Sequence, residues 1–310
     1  FAASDFQTTT LSPTAELEGT MHFTPWDSTS RDNRTRYTNP ILISTPVCED
    51  ESSREILPFQ KDATVLKNYI ENFDAGGNTS IDIGMKWGTA LLDPTARPVI
   101  NALTTGTGAT VPNDFSARPA EYNDSDTVKV IVLMTDGQNT SQYYVESDHR
   151  EGNSNVWYDS ATRRYSTYNP SNGRYYWHDV SSYWQTQPYG NNPERLNWAD
   201  LFAYTSLKYL YYGLYRDWMG TSSARNTWYY GVYDSYGNST KNARTRSICQ
   251  AAKDQGIIVY TIGFEAPSNG VAVLQDCASS DSHYFDVQGL EISDAFASIA
   301  TSIRQLRLTQ

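Results

Sequence analysis

Val128-Lys129-Val130-Ile131-Val132-Leu133-Met134-Thr135 is an apolar run of strand length, rich in β-branched residues, that ends abruptly in Asp136-Gly137. Near-continuous apolarity of this kind predicts a central strand covered on both faces, as in a parallel sheet. Ile257 to Phe264 repeats the pattern and predicts a second buried strand. His283 to Asp286 predicts a third, shorter and nearer an edge. Between these runs the period changes to that of a helix. Val65, Leu66, Tyr69, Ile70 and Phe73 share one helical face, with Asp62 as N-cap and Gly76-Gly77 as the stop. Thr79 or Ser80 caps a second helix that runs to about Leu92 and is ended by Pro94 and Pro98. Ile248, Ala251 and Ala252 line a helix closed by Gly256. A short helix covers 270–279, and Leu290, Ile292, Phe296, Ile299, Ile303 and Leu306 mark a terminal amphipathic one. Strand–helix alternation predicts an α/β fold with a doubly wound, mostly parallel sheet.

The rest of the chain lacks this regularity. Residues 1–39 are polar and read as an irregular arm. Pro40 to Val47 reads as a short strand pushed to an edge by its prolines, with Ile56 to Phe59 extending it. Residues 104–127 are a Gly/Thr/Asn/Asp loop. Residues 140–240 scatter Tyr and Trp among Asn, Ser, Gly and Arg, with one helical stretch from Leu196 to Met219 capped by Asn197. The divisions that result are 1–39, 40–139, the aromatic-rich insertion 140–240, and 241–310. An insertion of that length between core elements is either an interaction surface or a small core of its own.

Composition narrows the function. A net charge of -11 excludes nucleic acid and anionic membrane surfaces as partners, since both need basic patches. Cys48, Cys249 and Cys277 include no Cys-x-x-Cys pair, which argues against zinc. One disulfide plus a free thiol, or three buried thiols, fit the spacing equally. The chain carries no signal peptide, transmembrane run or lipidation motif. Because it begins with Phe1, it reads as a fragment or processed product, with room for an anchor upstream.

At the carboxyl edge of a parallel sheet, the Gly77-Asn78-Thr79 loop and the Thr135-Asp136-Gly137 loop should meet. A hydroxyl and a carboxylate there are oxygen ligands of the kind magnesium or another hard divalent cation takes. Taken alone, Asp136 reads first as a turn residue. Asp82, just beyond, reads as a first-turn carboxylate favoured by the helix dipole. His22, His149, His178 and His283 lie far apart without local catalytic partners, and neither a phosphate-binding loop nor a nucleophile elbow is present. No catalytic residue is assigned.

Several segments in order, Gly77 to Gly88, Leu133 to Thr140, Val259 to Phe264, Leu274 to Ala278, His283 to Phe285 and Ala295 to Gln310, resemble the TadG-like branch of the von Willebrand factor A family. The resemblance covers roughly 40–100 and 125–310. It implies a von Willebrand A-like, Rossmann-type fold and a metal-ion-dependent adhesion site to which Thr79 and Asp136 contribute. It further implies a bacterial envelope protein of the Flp (tight-adherence) pilus systems, anchored by a membrane segment upstream of residue 1. The expected function is non-enzymatic adhesion or assembly, a protein partner's acidic group completing the ion's coordination. An envelope location implies Cys249–Cys277 pairing, with Cys48 free. The family's first metal loop, Asp-x-Ser-x-Ser, is missing. Trp26 to Arg31 comes nearest, but Arg31 stands where the last Ser belongs. Either that loop and its strand lie before Phe1 or this homologue has lost the site, and two protein oxygens alone hold magnesium weakly. The alternatives are a carbohydrate-binding surface on the aromatic insertion and a metal-dependent hydrolase using Asp136.

Overall fold

The computed structural model describes residues 1–11, 21, 47, 54–73, 78–180 and 183–308. After a 3-10 turn at Ala3–Gln7 come α1 (Ala63–Glu71), α2 (Ile81–Leu92), α3 (Arg97–Thr104) and β1 (Val130–Thr135). A run of short strands follows: β2 (Gln142–Val145), β3 (Asn153–Asp159), β4 (Arg164–Asn169), β5 (Arg174–Trp177), β6 (Trp184–Gln185) and β7 (Glu194–Asn197). Next are α4 (Trp198–Tyr204), α5 (Leu207–Tyr209), α6 (Arg216–Met219) and α7 (Thr221–Arg225), with π-helical turns at Leu210–Tyr215 and Asn226–Tyr230, and then β8 (Tyr233–Tyr236). The chain closes with α8 (Asn238–Asp254), β9 (Ile258–Phe264), α9 (Ser268–Cys277), β10 (Tyr284–Val287) and α10 (Ile292–Leu308). Among the described residues, 1–11, 54–142 and 236–308 form one compact unit, and 143–235 with Met21 and Val47 form another. No helix among the described residues is long and apolar enough to cross a membrane.

The first unit is α/β. Its three strands are parallel in the order β1-β9-β10. Alternation along β9 supplies both cores. Val259 packs with Ile248 and Ala252 of α8 and Met85 of α2. Tyr260 and Ile262 pack with Ala295 and Ile299 of α10. Helices therefore cover both faces, which is why β9 reads as a continuous apolar run. Among the described residues the opening Val128–Thr135 run lies at one edge of the sheet, not at its centre. β1 pairs with β9 alone among the described residues, and Val132 and Met134 remain 39% and 41% exposed. The run marks a strand, but apolarity alone does not say how many neighbours it has.

Other local expectations change for identifiable reasons. Residues 1–11 are no free arm. Phe6 is fully buried against α8, and Thr9 donates to Asp93 at 2.6 Å. The rest of 1–39 except Met21, and the edge strand at 40–47 except Val47, lie outside the described residues. Ile56 to Phe59 forms no strand; Pro58 lacks an N–H, and Phe59 instead meets Phe115 at 5.3 Å. Asp62 does cap α1, accepting from Thr64 and Val65 N–H, but no residue of α1 is buried. The helix stops at Glu71, ahead of the glycine pair. Pro98 starts a helix and does not end one: α2 stops at Leu92, and Pro98 sits in the first turn of α3, where its missing N–H has no cost.

The second unit is not irregular. β6-β5-β4-β3-β7 form an antiparallel sheet joined by tight hairpins, such as Asn172-Gly173 with Gly173 at φ +68°. Its inner face and the helices share a core that includes Val156, Tyr165, Leu201, Leu214 and Tyr215. Tyr215 stacks on Trp228 at 4.1 Å. The helix expected over 196–219 is broken at Thr205, whose hydroxyl bonds the Leu201 carbonyl, and Ser206 starts the next helix by accepting from Tyr209 N–H.

Candidate functional site

Thr79 and Asp136 both lie at the carboxyl end of the parallel sheet, and their loops are fastened together. Thr140 N–H donates to the Thr79 carbonyl at 3.0 Å, and Thr79 N–H donates to Thr140 Oγ1 at 2.9 Å. The Thr79 hydroxyl lies 3.2 Å from where a side chain on Gly137 would begin. Glycine at 137 therefore lets the Asp136 loop close on Thr79. On its other side the loop rests on α9: a Cβ at Gly270 would stand 2.2 Å from the Gly137 carbonyl oxygen. The Gly270 contact needs bare backbone, while the Gly137 contact leaves a Cβ only a tight fit against the Thr79 side chain. Asp136 itself is exposed.

Ser80 precedes α2 but its side chain does not cap it. Asn139 does so from the other loop, its Oδ1 accepting from Ile81 N–H at 2.8 Å. Its amide nitrogen donates to Asn242 Oδ1 and Thr245 Oγ1 of α8, at 2.9 and 3.1 Å. Asn139 thus ties α2, the Asp136 loop and α8 together, and it is fully buried.

Beneath the two loops lies Lys241, also fully buried. Its ammonium donates to the Thr79 carbonyl (2.9 Å), Ser80 Oγ (2.6 Å) and the Thr140 carbonyl (2.8 Å). Asp82 is its counter-ion at 3.8 Å, with neither carboxylate oxygen in a regular hydrogen bond. Burial raises the Asp82 pKa more than Lys241 and Arg244 lower it. Burial lowers Lys241 to about 8, opposed by Asp82 and assisted by Arg244. Desolvation outweighs attraction for both partners, as it does when a pair is removed from water without direct contact. Asp82 stands in the first turn of α2, as expected, but as a fully buried charge.

As a cation site the edge offers one hydroxyl and one carboxylate, Thr79 and Asp136. Among the described residues no group of three or more His, Cys, Asp or Glu could hold a metal. The donor set fits a hard ion that keeps most of its water, and does not fit an all-protein cage. Trp26 to Arg31, the nearest approach to the missing loop, lies outside the described residues. On the flank, Cys249 of α8 and Cys277 of α9 are joined in a disulfide, with Cα atoms 5.1 Å apart. Cys48 lies outside the described residues.

Sequence reading missed Lys241, Asn139, Thr245 and Gly270. One signal was present: Lys241 and Thr245 extend the stripe of Ile248 and Ala252 at helical spacing, so they continue a buried face. No family model matches the chain, and no curated protein matches it. The von Willebrand factor domain of the type V pilus tip protein Mfa5 from Porphyromonas gingivalis is similar over 78% of this chain and 73% of its own, at 18% identity and a TM-score of 0.34.

Proposed function

We propose that this chain is a non-enzymatic adhesion or assembly module of the bacterial cell envelope, of the TadG-like von Willebrand A type, serving Flp pilus assembly. Its partner contact is the carboxyl edge of the parallel sheet. One observation carries this reading: two loops some sixty residues apart in sequence are locked together there, with the Thr79 hydroxyl beside Gly137 and the Asp136 carboxylate exposed. Exposed chemistry on a fixed scaffold suits recognition. A divalent cation at Thr79 and Asp136 would be held weakly by the chain and firmly once a partner's carboxylate joins the shell. The membrane anchor of the full-length protein belongs to the same proposal.

The test is manganese titration of the chain, read by water-proton relaxation, with and without a short acidic peptide. Saturable binding that strengthens with the peptide and vanishes in Asp136→Ala supports a metal-dependent contact. Manganese binding that is indifferent to Asp136→Ala rejects the site.

A further inference from the structure

The outward face of the antiparallel sheet is aromatic where such a face is ordinarily polar. Register sets Trp157 opposite Ser166, Ser166 opposite Trp177, and Tyr168 opposite Tyr175. Val156, Thr167 and Tyr176 alternate with these and are buried on the inner face. Trp157, Tyr168, Tyr175 and Trp177 therefore share the outer face, each half-buried. Trp157, Tyr168 and Tyr175 form a triangle, with ring centres 5.0, 5.0 and 6.0 Å apart.

The charge on this face is cationic in an acidic chain. The Arg195 guanidinium lies 4.9 Å over the Trp157 ring, and that of Arg164 lies 5.3 Å over Tyr189. Asp159 shares the face, but it is 1% exposed and accepts from Thr162 N–H, Thr162 Oγ1 and Asn192 N–H. Glu194, beside Arg195, is paired with Tyr158 and so belongs to the opposite face. Arg195 is oriented by the Ser154 carbonyl (2.7 Å) and Asn155 Oδ1 (3.2 Å), while its remaining donors make no hydrogen bond among the described residues.

We propose that this face binds an acidic saccharide, a pyranose chain bearing carboxylates. The apolar C–H face of a sugar ring lies on the Trp157–Tyr168–Tyr175 triangle, and a ring carboxylate takes the open side of the Arg195 fork. Guanidinium matches carboxylate in geometry as well as charge. An extended peptide is the weaker fit, because peptides are held by strand edges or side-chain pockets and this is the face of a sheet. The proposal does not rest on the Thr79–Asp136 reading.

The full chain is titrated with oligogalacturonate, a sialylated oligosaccharide, a neutral oligogalactoside and polyglutamate, read by tryptophan fluorescence and calorimetry. At least one acidic saccharide binds saturably and more tightly than the neutral one. Arg195→Gln weakens that binding roughly tenfold, the worth of one charge-assisted contact. Tyr175→Ala weakens it too, while circular dichroism stays unchanged and Asp136→Ala has no effect. Equal binding of the neutral sugar, preference for polyglutamate, or no acidic saccharide bound overturns the proposal.

Discussion

The two units hold cations in different ways. In the parallel-sheet unit, lysines reach inward to backbone carbonyls. Lys86 donates to Thr8 and Thr10, Lys129 to Leu92 and Ala120, and Lys241 to Thr79 and Thr140. Each ammonium fastens segments distant in sequence, because a compact point charge with three donors can serve several carbonyls at once. In the aromatic unit the cations are arginines laid on rings: Arg164 on Tyr189, Arg195 on Trp157, Arg216 on Tyr212. A planar, weakly hydrated guanidinium keeps its edge in water while its face meets the ring. A buried ammonium with several carbonyl partners is consequently a structural keystone, whereas the ring-bound guanidiniums of Arg164, Arg195 and Arg216 reach the surface; Arg244 of the parallel-sheet unit, 3.7 Å over Tyr236, is ring-bound and buried.

Removing Lys241 should produce the largest effect. Lys241→Met strips the buried Asp82 of its nearest counter-ion, leaving only the weaker pull of Arg244, and should destabilise the parallel-sheet unit by about 3–5 kcal/mol. Replacing both, with Asp82→Leu alongside Lys241→Met, should recover much of that loss, because the desolvation cost goes with the pair. Urea unfolding of the three proteins measures this. Hydrogen exchange should show the double variant still loosened at 78–81 and 136–141, where the ammonium's hydrogen bonds are gone. If the double variant is as unstable as the single one, the loss lies in the ammonium's hydrogen bonds and the stranded-charge account of Asp82 fails.

The same contrast explains what could be read from the sequence. β9, α8 and α10 were legible because one residue in two, or in three and four, must be apolar to cover a sheet from both sides. The meeting of the Thr79 and Asp136 loops followed from parallel strands alone. That β1 has one neighbour among the described residues did not follow. Nor did Lys241, since a lysine is almost always a solvated residue and its partners here are backbone carbonyls, which no side-chain pattern reveals. The strands of the second unit were hidden because both faces are aromatic. Val156 and Trp157, or Tyr165 and Tyr168, differ too little in polarity for period 2 to stand out.

A smaller effect is expected from acid, and it should fall on the aromatic unit. His178 is buried, its Nε2 at 3.1 Å from Thr167 Oγ1 and its ring against Tyr176. Burial holds its pKa down at about 4, against weaker upward pulls from Asp179 and Asp217. Between pH 6.5 and about 4 the unfolded chain binds a proton that the native imidazole refuses. Stability is therefore lost as pH falls through that window, by up to about 3 kcal/mol. Asp82 works with the opposite sign, since its raised pKa lets the native state take a proton first. Unfolding followed by tryptophan fluorescence at pH 7 and pH 4.5 reads the difference, and His178→Gln should flatten it. A loss that persists in His178→Gln assigns the acid sensitivity elsewhere.

The smallest effect should come from the counterpart of Lys241 in the aromatic unit. Arg216 lies 3.7 Å over Tyr212 and pairs with Asp217 at 3.2 Å, in contact with solvent. Removing it uncovers a ring already half exposed and leaves Asp217 hydrated, so neither partner is stranded. Arg216→Gln should cost less than about 1 kcal/mol, the range of an exposed cation–π contact with a surface ion pair. The cost should shrink in 1 M salt, which screens the Asp217 part, whereas the Lys241→Met deficit should hardly respond, because buried charges are shielded from ions. If urea unfolding gives Arg216→Gln a salt-insensitive loss comparable to that of Lys241→Met, then the ring-bound arginines are also structural. Exposure of a ring-bound guanidinium would then not be enough to mark it as free for a ligand, and Arg195 would need the same salt test before its open side is assigned to one.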